Sequence, residues 1–154
     1  MGRWRDGRAT LRIEDGGGGG DVEAAGDVNG IAGNGNDGTD SPATASPEAL
    51  PLEIAASYRA RTRGLLKRDG VRGALLLTPA GSVHTFRMRF AIDVAYLDRR
   101  MNVIAVRTMK PGRLGLPRLR SRHVLETEAG VMAGWGLRPG VRISVDGQAT
   151  TNTN

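Results

Sequence analysis

The stretch that decides the fold runs Ile92-Asp93-Val94-Ala95-Tyr96-Leu97-Asp98-Arg99-Arg100-Met101-Asn102-Val103-Ile104-Ala105-Val106-Arg107-Thr108-Met109. Two runs rich in β-branched and aliphatic residues flank a polar tetrad, Asp98 to Met101. That pattern predicts a hairpin, with strands over 92–98 and 102–109 joined at the tetrad.

Upstream of the hairpin, Ala74 to Thr78 is a short apolar run closed by Pro79-Ala80-Gly81, which predicts a buried strand and a turn; Val83 to Phe86 predicts the start of another strand. Ser57 is placed to cap a helix over 58–67, in which Tyr58, Thr62, Leu65 and Leu66 share one face. Gly64 interrupts that pattern and Asp69-Gly70 ends it. Leu50 to Ile54 is extended, and Pro51 argues for an edge or a strand start. Ala9 to Ile13 alternates and predicts a first edge strand within residues 1–13.

Downstream, Lys110 to Ser121 mixes Pro111, Gly112, Gly115 and Pro117 with basic residues, and reads as an exposed loop. A strand follows over His123 to Glu128, then one or two helical turns over Gly130 to Trp135. A tight turn at Leu137-Arg138-Pro139-Gly140 leads to a last strand carrying Val141, Ile143 and Val145. Seven or so short strands with two short α-helices predict a mainly β domain, either a small β-sandwich or a partly open barrel.

Composition divides the chain. Residues 14–49 hold five consecutive glycines, Gly16 to Gly20, and otherwise mostly small and polar residues. So little apolar area cannot offset the entropy of ordering the backbone, so a disordered insertion or linker is expected there. If Ala9–Ile13 and Leu50–Ile54 belong to one sheet, the tract is a loop between strands. A phosphate-binding glycine loop would also need a following helix and a lysine, and these are missing from the tract. Residues 50–146 are expected to form a single β domain, with 147–154 a disordered tail.

Charge follows the same division. Residues 1–50 carry four arginines against nine acids, a balance of −5, whereas 51–154 carry sixteen arginines and two lysines against seven acids, +11. A field of that sign favours anionic partners: nucleic acid, an anionic small molecule or an anionic surface. No cysteine is present, which removes disulfides and thiolate chemistry. Met1 to Asp6 has no apolar core of a signal peptide, and Asp6 stands where myristoylation prefers Ser or Thr. The longest apolar run, Ala74 to Leu77, is far below the ~20 residues of a membrane span, and a cytoplasmic location is expected.

The order of motifs carries a resemblance. Arg63-Gly64-Leu65-Leu66 with Arg68 comes first, then Thr85 to Asp98, then Val124-Leu125-Glu126 with Ala129-Gly130, then Gly136-Leu137 with Gly140. Over about residues 50–146 this resembles the uncharacterised prokaryotic family called domain of unknown function 192. The resemblance implies a compact β-sandwich-like domain and no particular reaction. Many relatives have an aromatic-Met-Lys-Asn-Thr run followed by Pro; here Phe86-Arg87-Met88-Arg89-Phe90 is followed by Ala91. A guanidinium and a ring thus replace a carboxamide and a hydroxyl, and a ligand held through that amide would be held differently here.

Chemistry-bearing residues concentrate in His84 to Asp93. On a strand, Phe86, Met88 and Phe90 would point one way and Arg87 and Arg89 the other. The plain reading buries the apolar trio and solvates the arginines. The functional one sets His84, Arg87, Met88 and Arg89 around an anionic ligand, since guanidinium forks suit carboxylate and phosphate. Asp93 and Glu126 interrupt apolar strands, so each is expected to face out or to be paired, with Arg87 or Arg89 as partner. His84 and His123 have no metal-ligand spacing, and no cofactor or metal is expected. No GxSxG elbow supports a hydrolase. Trp135, between two glycines, reads as a core anchor.

The residues favour a small non-catalytic binding or accessory domain that recognises an anionic ligand or protein partner. The alternative is an enzyme with a pocket of His84, Asp93 and Glu126. Nucleic-acid binding ranks below both, because six aromatics lying mostly in apolar patterns offer no stacking platform.

Overall fold

The computed structural model describes residues 4–14 and 49–147. The glycine-rich tract and the tail expected to be disordered lie outside the described residues, apart from their first or last positions. In chain order the elements are β1 (Gly7–Glu14), β2 (Leu50–Ala55), α1 (Tyr58–Arg63), β3 (Ala74–Leu77), β4 (Ile92–Leu97), β5 (Val103–Met109), β6 (His123–Glu128), α2 (Val131–Gly134) and β7 (Arg142–Asp146).

All seven strands belong to one sheet in the order β5-β4-β6-β3-β2-β1-β7. Neighbours are antiparallel except β2 and β3, which α1 and its following turns connect as a parallel pair. The sheet curls until its outer strands meet. Asn102 bridges Arg142, the Val103 N–H donates to the Val141 carbonyl at 2.7 Å, and the Ile143 N–H donates to the Met101 carbonyl at 3.0 Å. The result is a partly open barrel, mainly β with two short helices.

Strand alternation divides the apolar side chains between two cores. Leu52, Ile54, Leu76, Ala95, Leu97 and Leu125 fill the inside of the curl, where Met132 of α2 and Leu137 close one end. Leu75, Leu77, Ile92, Val94, Tyr96 and Val124 face the outside, where Leu65, Val83 and Met88 cover them from the segments after α1 and β3. Both faces of β4 are therefore buried along its whole length, which is why Ile92–Leu97 is apolar without a polar alternate apart from Asp93.

The hairpin expected from 92–109 is β4 and β5, and its turn is held by Asp98. Oδ1 of Asp98 accepts from the Arg100 and Asn102 N–H groups at 2.7 and 3.0 Å, and Oδ2 accepts from Asn102 Nδ2 at 2.9 Å.

Three local expectations are corrected, and the reading of Pro51 as an edge or a strand start narrows to the strand start. β1 is no edge strand: it lies between β2 and β7, so its backbone groups pair on both sides. β2 is likewise internal, and Pro51 is tolerated because it sits near the strand start, before the ladder to β3 begins at Leu52. The helix expected over 58–67 stops at Arg63, because Gly64 takes φ +45° and turns the chain away. Residues 85–91 form a turn rather than a strand, with Met88 N–H donating to the Thr85 carbonyl at 3.2 Å and Arg87 at φ +61°. Phe86 is therefore exposed while Met88 is buried, and the two-way alternation of rings and arginines does not occur.

Candidate functional site

The two acids singled out by the sequence are buried on different faces. Asp93 stands with Ala95 and Leu97 on the inner face of β4. Glu126 pairs across to Val94 and Leu75, which face outward.

Asp93 is fully engaged. Its Oδ1 accepts from Thr108 Oγ1 at 2.6 Å, and its Oδ2 accepts from the N–H groups of Gly130 and Met132 at 2.8 and 3.3 Å. Those backbone donors open α2, where no backbone carbonyl is available to them. Asp93 thus ties α2 to the hairpin, a structural role; no arginine is its partner.

Glu126 is the opposite case. It is 3% exposed, and no side chain or backbone group of the described residues hydrogen-bonds its carboxyl. Burial pushes its pKa up to about 7, with the positive charge of Arg68 pulling partly the other way. The carboxyl faces a cavity of about 80 Å³. That volume suits one small polar group of a larger molecule or a few waters.

The cavity is built by three segments. α1 and its exit supply Arg61, Thr62, Arg63, Gly64, Leu65 and Leu66; β3 supplies Leu77; the following loop supplies Ser82, Val83, His84 and Met88. α1 is fixed at its N-terminal end. Ser57 Oγ accepts from the Ala60 N–H at 3.2 Å, and Asp6 Oδ1 accepts from the Ala56 and Ser57 N–H groups at 2.6 and 2.8 Å. Arg61 Nη1 donates to the Ala56 carbonyl at 2.7 Å and to that of Thr78 at 3.4 Å, so this guanidinium is held in place beside the cavity.

Of the six residues picked from sequence, the structure brings His84, Met88 and Glu126 to one cavity. The His84 ring stacks on Phe86 with centroids 5.4 Å apart, and its backbone bridges Leu114. Arg89 lies outside, its Nη1 paired with Asp69 Oδ1 at 2.6 Å in solvent. Arg87 is exposed and is not a lining residue. Asp93 is on the other face, so the enzyme pocket of His84, Asp93 and Glu126 is not assembled. His123 is also elsewhere: its Nδ1 is 2.7 Å from Thr78 Oγ1 and its ring meets Trp4 edge-on. Burial lowers its pKa. Among the described residues no cluster of His, Asp and Glu is arranged to hold a metal ion, and no helix is long and apolar enough to cross a membrane. Trp135 packs, partly buried, against the inner core.

Sequence reasoning missed Arg61, Arg63 and Ser82. The signal for the first two was present in Arg63-Gly64-Leu65-Leu66, whose glycine ends the helix beside Glu126.

Comparison with known proteins gives the context. The family model DUF192, described as uncharacterised ACR, matches residues 41–145. A UPF0127 protein of Pyrococcus horikoshii is 32% identical over 85 residues, covering 52% of this chain and 74% of that protein. A UPF0127 protein of Pyrococcus furiosus is 31% identical over 99 residues, 61% of this chain and 85% of that one. Among solved structures, a Sinorhizobium meliloti protein that bears the name of a transcription regulator superposes with a TM-score of 0.63 at 15% identity, over 94% of this chain and 98% of that one. A Novosphingobium aromaticivorans protein of unknown function gives 0.57 at 17% identity, over 66% and 79%. At such identities these structures share the fold alone. The match of the family model over most of the described sheet is decisive: the chain belongs to the uncharacterised DUF192 family.

Proposed function

We propose that the chain is a small non-catalytic binding domain that takes the acceptor end of an anionic ligand into the cavity over Glu126. One observation carries this reading: a carboxyl 3% exposed, with no hydrogen-bond partner among the described residues, facing an open cavity. The carboxyl has no protein partner and opens on the cavity, so what it meets there is water or the oxygen of a ligand that displaces it. A protonated Glu126 donates its O–H to a carboxylate or phosphate oxygen, while Arg61 and Arg63 supply positive charge at the same cavity. An anion seated there raises the Glu126 pKa further, so binding is linked to proton uptake.

Calorimetry with a series of small carboxylates and phosphates at pH 6 and pH 8 tests this. Affinity is expected to be higher at pH 6. For the carboxylates, which stay ionised throughout this range, Glu126→Gln, which keeps a donor, should bind with the pH dependence removed, and Glu126→Leu should not bind. Wild-type affinity in Glu126→Leu sinks the assignment.

A catalytic reading rests on a different observation, that a carboxyl with a pKa of about 7 suits acid–base work near neutrality and shares its cavity with His84. In that case Glu126→Gln abolishes turnover of a bound ligand and leaves its affinity in place.

A further inference from the structure

From Arg99 to Leu125 the chain carries eight basic residues and no acid. Five of the eight (Lys110, Arg113, Arg118, Arg120 and Arg122) lie in the loop that leaves β5 and returns at β6. The same loop exposes Leu114 at 66%, Leu116 at 79% and Leu119 at 92%. Large aliphatic side chains so far out of a core are informative when they cluster and when charge of one sign surrounds them.

The loop is not slack. Thr85, fully buried, donates from Oγ1 to the Lys110 carbonyl at 2.7 Å and accepts from the Arg113 N–H at 2.8 Å. The Gly115 N–H donates to the Val83 carbonyl at 2.7 Å, and the Arg118 N–H to that of Gly81 at 2.9 Å. Gly115 is pressed so close to the body that a Cβ there would meet the Val83 carbonyl oxygen at 3.0 Å and the Tyr96 hydroxyl at 2.6 Å. Pinning the chain at Gly115 leaves Leu114 and Leu116 standing out on either side of it. The guanidinium of Arg118 lies 4.9 Å over the Tyr96 ring. A concave surface of about 510 Å³, lined by Arg107, Lys110, Arg113 and Arg118 with Leu114 and Leu116, holds no acid.

We propose that the Lys110–Arg122 loop docks this domain on an anionic lipid surface, with its basic groups on the lipid phosphates and its three leucines in the outer acyl layer. The pairing of the two chemistries selects this partner. Positive charge alone suits any polyanion. Exposed aliphatic tips set between basic residues add little to binding along a nucleic-acid backbone, whose phosphates pair with the basic groups while its nucleobases stack on aromatic rings. They insert readily among acyl chains, where basic residues next to insertable apolar ones make two reinforcing contributions. The ring of Tyr96 is buried, which leaves the half-exposed Phe86, stacked on His84, as the ring beside this loop on which a base could stack, and competition by an oligonucleotide tests that alternative.

Co-sedimentation of the full chain with vesicles tests the assignment. Vesicles of phosphatidylcholine with phosphatidylglycerol should carry the protein down, and vesicles of phosphatidylcholine alone should leave it in solution. The double variant Leu116→Asp/Leu119→Asp should weaken binding to the mixed vesicles at least about tenfold, and Arg113→Glu/Arg120→Glu similarly. All four positions are exposed, and matching circular dichroism and melting curves confirm that the variants are folded. Absence of binding to the mixed vesicles overturns the proposal. So does a leucine variant that binds them as wild type does, or a duplex oligonucleotide that displaces wild-type protein from them and binds the leucine variant equally well.

Discussion

Asp93 and Glu126 are one residue out of step across β4 and β6, with Asp93 opposite Thr127 and Glu126 opposite Val94, so they face opposite sides of the sheet. The pleat separates them more firmly than distance would, because an entire buried sheet lies between the two carboxyls. One acid can therefore be saturated with hydrogen bonds while the other stays unpartnered, and each makes its own prediction.

Removing the saturated acid should cost stability and nothing else. Asp93→Ala strips Thr108, Gly130 and Met132 of an acceptor in a buried setting. At roughly 1–3 kcal/mol for each stranded donor, and allowing for relaxation of α2, the loss should be about 3 kcal/mol. Urea unfolding measures it. Asp93→Asn, which keeps one acceptor, should lose less. A change below about 0.5 kcal/mol for Asp93→Ala would show that the α2 cap is dispensable.

Glu126 should leave a signature in stability against pH. Its folded pKa of about 7 lies above the ordinary glutamate value of 4.5, so the folded state holds a proton that the unfolded chain has already released. Stability from this group is fully present below about pH 4.5 and is lost as pH rises through about 7. The total is on the order of 3 kcal/mol. Glu126→Gln removes the titration, so the difference between variant and wild type should favour the variant increasingly from pH 5 to pH 8. His123, whose pKa burial lowers, acts oppositely and only on the acid side: below its unfolded value of 6.5 it weakens the fold. It is unchanged in both proteins and cancels in the comparison. A flat difference would place the Glu126 proton elsewhere.

Arg68 should tune that titration from a distance. It grips Glu53 at 2.8 and 2.7 Å through two guanidinium nitrogens, and its charge is what pulls the Glu126 pKa down. Arg68→Ala should cost at most about 1 kcal/mol, because the Glu53 pair is partly solvated. It should also move the Glu126 midpoint upward, as read by carboxyl carbon chemical shift. A midpoint that stays or falls would remove Arg68 from the electrostatics of the cavity.

Asp98 should matter to barrel closure. The three hydrogen bonds that it accepts shape the β4–β5 turn, and the turn ends at Asn102, which bridges Arg142. Asp98→Ala should lower stability by about 1–2 kcal/mol. It should also speed amide hydrogen exchange at Val103 and Ile143, whose N–H groups cross the closure. Unchanged exchange at both would mean that closure does not depend on this turn.

What the residues disclosed unaided was set by how locally each feature is encoded. The hairpin of 92–109 was legible because its apolar runs and the Asp98 turn lie in one window. The position of β1 was not, since its pairing with β7 joins the two ends of the chain and no local pattern records it. The segment from Thr85 to Phe90 alternates like a strand, yet tertiary bonds to the 110–115 loop bend it into a turn. For the cavity, the chemical identity of Glu126 in an apolar strand was visible, and so was the presence of His84 and Met88. Which partner faced Glu126 was not, because that depends on Gly64 ending α1 early and laying Arg61 and Arg63 over the opposite strand.

The place of β1 has a consequence for the covalent chain. Leu11 pairs with Leu50 and Glu14 with Arg142, so the strand is gripped on both flanks while the peptide leading from it re-enters next door. The ladders to β2 and β7, and not the covalent link from Glu14 to Leu50, are what hold β1 in the sheet. A molecule cut between Glu14 and Leu50 should keep β1 as a strand donated in trans, released only when β2 and β7 part.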